Sequence, residues 1–172
     1  MLAPTTEAEE QRYAELQAIA LDLARHGETE PLAAMLDHGL PVNLSDHRGN
    51  SLLMLAAYHG NAGTLRLLIG RGADVNRAND RGQSPLGGAA FKGDCEVVSL
   101  LLDHGADIEA DNGAGMTPVM FAALFGRTRV VAQLLERGTS LQRRNRIGIS
   151  AGLMLKISRM IGWFRPRRRR AA

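Results

Sequence analysis

The side chains most able to bind a metal ion or to attack a substrate are five histidines and one cysteine, Cys95. The histidines are His26, His38, His47, His59 and His104, and none has a metal-ligand spacing with the cysteine. Asp94 and Glu96 flank Cys95, and neighbouring negative charges disfavour the thiolate that a nucleophile needs. We therefore predict no catalytic residues, no metal site and no cofactor, and we interpret Cys95 as a packing residue.

The 19 glycines could indicate a loop that binds phosphate, but the chain lacks the pattern G-x-x-x-x-G-K-[ST]. The glycines instead recur every 33 residues in three series. These series are Gly27, Gly60, Gly93 and Gly126; Gly39, Gly72, Gly105 and Gly138; and Gly49, Gly82, Gly115 and Gly148. A fixed period of this length is the signature of an array of stacked structural repeats.

Each repeat unit contains the signals for two short helices. Ser84-Pro85 and Thr117-Pro118 are good helix starts, because the hydroxyl can cap the helix and proline fits its first position. Glycine ends the first helix and, after a second apolar segment, the second one. Helices this short are stable only when they stack on neighbours. Gly87-Gly88, inside one first helix, should cost roughly 1 kcal/mol per glycine relative to alanine.

The repeated pattern D-x-x-G-x-T-P-L-x-x-A-A-x-x-G, followed by L-L-x-x-G-A-D-V-N, resembles the ankyrin repeat. The resemblance implies an all-α solenoid of stacked helix-turn-helix units with projecting hairpin loops. We predict repeats at 46–78, 79–111 and 112–145, preceded by an N-terminal cap and a degenerate first repeat at 1–45. A truncated capping repeat at 146–164 and a basic disordered tail at 165–172 are expected to follow.

The two terminal helices are predicted to cover the ends of the array with apolar faces, since repeat arrays need caps that are polar outside. At the N-terminus this face consists of Leu16, Ile19 and Leu23. At the C-terminus it consists of Leu153, Ile157, Met160, Ile161 and Phe164.

The resemblance also implies a non-catalytic interaction scaffold that binds a protein partner through its loop tips and its concave first-helix face, regulating or inhibiting that partner. The matching loop positions are His47, Arg48, Asn50, Asp80, Arg81, Gln83, Ala114 and Met116, and those at the helix ends are Tyr58, His59, Phe91, Lys92, Leu124 and Phe125. We predict that Tyr58, Phe91 and Leu124 form one exposed stripe, which is typical of an interaction site. Packing of these side chains between repeats is the alternative.

Charge is distributed unevenly along the chain, whose net charge is +3. All 18 acidic side chains lie within residues 1–136, and residues 137–172 carry only basic ones. This end could dock on nucleic acid or on an anionic membrane. If the apolar face of the last helix covers the array, however, the arginines are a solvated tail.

Because no signal segment and no run of about 18 apolar residues occurs, we expect a cytoplasmic protein.

Overall fold

The computed structural model describes residues 6–164, and nine α-helices account for the regular structure of this range. The helices are α1 (Glu7–His26), α2 (Thr29–Asp37), α3 (Leu52–His59), α4 (Ala62–Gly70), α5 (Pro85–Lys92), α6 (Cys95–Asp103), α7 (Pro118–Leu124), α8 (Thr128–Glu136) and α9 (Ala151–Phe164). Two isolated β-bridges, Ser45 with Ser51 and Arg144 with Ser150, close the bases of two of the loops. The prediction of an all-α repeat solenoid is confirmed. The expected tail, 165–172, lies outside the described residues.

The helices form two layers, because each repeat contributes one helix to each row. The odd-numbered helices α1, α3, α5, α7 and α9 stack side by side, and each of α2, α4, α6 and α8 packs against the odd-numbered helix before it. The odd row is held close by pairs of fully buried alanines: Ala56 and Ala57, Ala89 and Ala90, and Ala122 and Ala123. Small side chains allow neighbouring backbones to approach, so the odd row provides a continuous spine for the loops beside it.

The first helices begin at hydroxyl residues, but not all of these cap the helix as predicted. The Ser51 hydroxyl accepts a hydrogen bond from the Met54 amide, and the Ser84 hydroxyl accepts one from the Gly87 amide, both at 3.1 Å. Thr117 makes no such bond, and its buried hydroxyl oxygen has no partner among the described residues. The expectation that Thr117 caps α7 is therefore wrong, and Pro118 begins that helix without this help.

Side chains from one repeat satisfy the ends of helices in the repeat before it. Gly60 ends α3 in the left-handed region, at φ +79°, which glycine adopts without strain. The next residue, Asn61, donates from its amide to the carbonyl oxygens of Ala24 and Arg25, at 2.9 and 2.8 Å. The last carbonyl groups of α1 thus find donors in the next repeat, which ties α1 to the array.

Of the described side chains on the apolar faces predicted for the two terminal helices, only Leu23 packs against the core. α1 is buried through Ala20, Leu21 and Ala24, while Leu16 and Ile19 are exposed and Leu23 is half-buried. α9 is buried through Ala151 and Met154, with Leu155 half-buried. Leu153, Ile157, Met160 and Ile161 are all exposed, and the side chain of Phe164 lies outside the described residues. Ala151 is fully buried, so the side of α9 that carries this short side chain is the one that approaches α7.

Candidate functional site

A groove of about 480 Å³ runs between the loop tips and the odd-numbered helices of the central repeats. The residues that line it are Arg25, Asp46, Arg48, Asn50, Met54, Leu55, Tyr58, His59, Asn79, Arg81, Gln83, Gly87, Gly88, Phe91, Asn112, Phe121 and Phe125. They come from α1, α3, α5 and α7 and from the loops that precede α3, α5 and α7. The stacking of repeats therefore builds a surface that no single repeat has.

One wall of the groove is a row of three aromatic rings, Tyr58, Phe91 and Phe125. The rings of Tyr58 and Phe91 are stacked, with centroids 6.0 Å apart and planes 11° from parallel. Phe91 meets Phe125 edge to face, at 4.4 Å and 70°. The Lys92 ammonium lies 4.7 Å from the centre of the Tyr58 ring, a cation–π distance. Tyr58 and Phe125 remain 38% and 45% exposed, so these rings offer apolar area to a ligand.

Where α5 lines the groove, two glycines take the place of larger residues. Gly87 leaves room for the side chain of Asn112 from the next repeat, because a Cβ atom at residue 87 would lie 2.0 Å from Asn112 Oδ1. That oxygen accepts hydrogen bonds from the amide and the hydroxyl of Ser84, at 2.7 and 2.9 Å. The sequence suggested only that the Gly87-Gly88 pair destabilises its helix. The structure shows in addition that Gly87 allows a buried contact between two repeats.

Amide and carboxylate side chains hold the loop tips together on the opposite wall. Oδ1 of Asp46 accepts from the amides of Arg48 and Asn50, and its Oδ2 accepts from Asn50 Nδ2, all at 2.9 Å. In the next repeat, Asn79 Nδ2 donates to Asn50 Oδ1 at 2.8 Å and to Gln83 Oε1 at 3.0 Å. Because each loop is bonded to its neighbour, the wall is preorganised for binding.

The groove carries more positive than negative charge. Arg25 contacts Asp46 at 3.6 Å, and Asp46 is the only acidic residue in the lining. Arg48 and Arg81 occupy equivalent positions in adjacent repeats, and both are exposed. Neither guanidinium forms an ion pair with any described residue. Both are therefore available to an acidic ligand.

The ionisation of two groove residues is shifted by their surroundings. Burial by itself raises the pKa of Asp46, but hydrogen bonds from the Asn50 side chain and from the amides of Arg48 and Asn50 outweigh it and lower that pKa. Burial, followed by the positive charges of Lys92 and Arg25, lowers the pKa of His59. His59 is therefore uncharged at neutral pH, and Asp46 is ionised.

Asp46→Asn is expected to make the protein's stability less sensitive to acid. Because the folded-state pKa of Asp46 is lowered, its stabilising effect is present above the unfolded-state pKa of about 3.9 and is lost as pH falls through the folded value. Asparagine preserves the turn, since Asn79 Oδ1 accepts from the amides of Arg81 and Gln83 in the same geometry. Urea unfolding at several pH values should show a shallower decline for Asp46→Asn than for the unmodified chain. Equal declines would contradict the assignment.

Of the predicted partner-binding residues, the structure brings eight together in the groove: Arg48, Asn50, Tyr58, His59, Arg81, Gln83, Phe91 and Phe125. Six do not line it, namely His47, Asp80, Lys92, Ala114, Met116 and Leu124. Leu124, which was expected to continue the stripe of Tyr58 and Phe91, is 43% exposed but does not line the groove, where Phe125 contacts Phe91. The physical reason is that α7 ends one residue earlier than α3 and α5 do, so Phe125 caps the helix.

Several groove residues were missed by sequence reasoning. Arg25 and Asp46 form the charged end of the groove, and Phe121 lies beside Phe125 in its lining. The 33-residue register held the signal for Phe121, because it aligns with Leu55 and Gly88, which also line the groove. The same register held the signal for Arg25, which aligns with Tyr58 and Phe91 although it lies in the degenerate first repeat.

The described residues contain no group of three or more His, Cys, Asp or Glu side chains that could hold a metal ion. Within residues 6–164, no helix is both long enough and apolar enough to cross a membrane.

The ring nitrogens Nδ1 of His38 and His104 lie 2.7 and 2.8 Å from the carbonyl oxygens of Ala34 and Leu100 at the ends of their helices. These two histidines therefore interact with the carbonyl ends of their helices.

Comparison with known proteins agrees with this architecture. A family model described as ankyrin repeats in three copies matches residues 53–145, and a second ankyrin repeat model, of many copies, matches residues 20–69. An ankyrin repeat protein of Pseudomonas aeruginosa is 57% identical over 37 residues. That match spans 22% of this chain and 22% of the relative, so the chain covers about a fifth of the relative's length.

Proposed function

Because this chain belongs to the ankyrin repeat family, whose members are general protein-interaction modules, we propose that it is a non-catalytic scaffold that binds a protein partner. The binding site is the groove between the loop tips and the odd-numbered helices. A partner whose working surface lies in that groove would be regulated or inhibited by being bound.

The observation that carries this proposal is the partly exposed row of Tyr58, Phe91 and Phe125. Aromatic rings that are aligned and held by their neighbours offer contact area without much loss of side-chain freedom on binding. Tyrosine and arginine are also the residue types that dominate binding energy at interfaces. Packing between repeats does not by itself account for the row, because two of its three rings are more than a third exposed.

The arginines and the aromatic rings of the groove indicate the chemistry of the partner. Arg48 and Arg81 form no ion pair with a described residue, so a carboxylate of the partner can form ion pairs with them. The aromatic row favours apolar or planar side chains on the same segment. The partner segment that fits best is therefore acidic, with apolar residues placed beside its acidic ones.

Replacing Tyr58, Phe91 and Phe125 with alanine is expected to reduce capture of the partner at least about tenfold, because truncating central aromatic anchors costs the most binding energy. The measurement is a pull-down from nuclease-treated lysate of the source cell, quantified by mass spectrometry. The control replaces Leu16, Leu135 and Ile147 with alanine, since these apolar residues are at least 38% exposed and lie outside the groove. Circular dichroism establishes that both variants are folded.

A protein that the control variant retains and the groove variant loses would support the proposal. A second arm, Arg48→Glu with Arg81→Glu, should weaken capture of the same protein and remove most of its dependence on salt. Retention of all captured proteins by the groove variant would overturn the proposal.

A further inference from the structure

The exposed side of α9 is an apolar stripe with no partner among the described residues. Leu153, Ile157, Met160 and Ile161 are 47%, 37%, 57% and 55% exposed, although α9 is packed on α7 through its other side. Their spacing places all four on one face of the helix. Contiguous exposed apolar residues of this kind mark an interaction site.

Another repeat of the same kind cannot stack on this face. Lys156 occupies the position that is Ala57, Ala90 and Ala123 in the preceding repeats. Those alanines are fully buried, whereas Lys156 is exposed. Stacking a further repeat would bury the Lys156 ammonium, which is costly without a partner. Arg159 likewise replaces the glycine of the Gly126 series, which ends the first helix in the other repeats, and α9 continues past it.

A second copy of the chain is also a poor occupant. A dimer formed through α9 would bring the basic ends of two copies close together, and in each copy Lys156 and Arg159 are exposed. The sequence then continues with five arginines, at 165 and 167–170, and no acidic residue follows Glu136. Repulsion between like charges would oppose the apolar contact.

We propose that the exposed face of α9 docks this protein on an anionic lipid bilayer. A bilayer surface provides an apolar interior for the side chains of the stripe. It also provides negatively charged headgroups for Lys156 and Arg159. A helix of this composition lies in the plane of the interface, with its apolar face at the level of the acyl chains. Nucleic acid would pair with the charges but would leave the apolar stripe in water.

The position of the stripe leaves the groove accessible on a bound protein. The groove is lined by α1, α3, α5 and α7 and their loops, and no residue of α9 belongs to it. All 18 acidic residues precede residue 137, so the headgroups attract the α9 end and repel the remainder. The membrane thereby selects one orientation, with α9 at the bilayer. Docking and partner binding are therefore separable, and each can be lost without the other.

The test measures sedimentation of the full chain with vesicles of phosphatidylcholine, with and without phosphatidylserine. Binding is expected only when phosphatidylserine is present. Ile157→Ser with Met160→Ser should weaken it at least about tenfold, because two apolar side chains no longer enter the acyl region. Lys156→Gln with Arg159→Gln should weaken it by about fivefold for each charge removed. The matched control, Leu16→Ser with Ile19→Ser, changes two exposed apolar residues at the other end of the array and should bind normally.

The single tryptophan, Trp163, gives a second readout, because it follows Ile161 by two residues in the sequence. Its emission should shift to shorter wavelength with phosphatidylserine vesicles and should not shift in the Ile157→Ser, Met160→Ser variant. Binding that survives this substitution and is removed by salt alone would overturn the proposal. So would binding to a DNA duplex without binding to vesicles, or a dimer in solution that the same substitution dissociates.

Discussion

Alanine at position 87 is expected to lower the free energy of unfolding by about 2 kcal/mol, although alanine is the better helix former by about 1 kcal/mol. The new Cβ atom would lie 2.0 Å from Asn112 Oδ1, so the Asn112 side chain would have to leave its site. Ser84 would then lose the acceptor for both its amide and its hydroxyl. Donors that are left buried and unpaired cost about 1–3 kcal/mol each, which exceeds the gain in helix propensity.

The neighbouring glycine provides the matched control for this experiment. A Cβ atom at Gly88 would meet only the Tyr58 side chain, at an ordinary contact distance of 3.6 Å. Gly88→Ala should therefore stabilise the protein by up to about 1 kcal/mol, opposite in sign to Gly87→Ala. In an Asn112→Ala background the clash is absent, so Gly87→Ala should become stabilising there. Urea unfolding of the four variants measures each free energy, and a stabilising Gly87→Ala in the unmodified chain would contradict the role assigned to Asn112.

Leu101→Ala in the centre of the array is expected to cost about 3 kcal/mol and to loosen the central repeats, from α3 through α8. Leu101 is fully buried in α6, where it lies between the neighbouring helices α4 and α8 of the even row. Each repeat is stabilised mainly by its two neighbours, so weakening the middle removes support on both sides. Leu32→Ala removes an equally buried leucine from α2, which has a neighbour in the even row on one side only. Its effect should be confined to α1 and α2.

Hydrogen exchange of the backbone amides distinguishes these two outcomes. Leu101→Ala should reduce protection from α3 through α8, whereas Leu32→Ala should reduce it in residues 7–40 and leave α5 through α8 unchanged. If Leu32→Ala reduced protection of all helices to the same extent, the array would unfold as one unit. The first repeat would then be as strongly coupled to the array as the central ones.

The sequence predicted the repeat, the helix pairs and the family because those features depend on local backbone chemistry. Gly60 and Gly93 have positive φ angles, which glycine adopts without strain, and such positions recur in the sequence at the repeat period. Ser51 and Ser84 likewise begin helices through bonds to residues three positions later, so the pattern is contained in one short segment. Thr117 has the same sequence pattern, but its side chain does not form this bond, so the local pattern alone does not determine the cap.

Two features were decided only by the tertiary structure, because they depend on which face of a helix its neighbour covers. α9 has two sets of apolar residues at helical spacing, one containing Ala151 and Met154 and the other containing Leu153 and Ile157. Periodicity alone does not distinguish them, and packing against α7 buried the set that contains Ala151 and Met154. In the groove, Phe125 contacts Phe91 and Leu124 is not part of the lining, since α7 ends one residue early. The sequence by itself thus determined the array, while packing between repeats decided which surfaces the array presents.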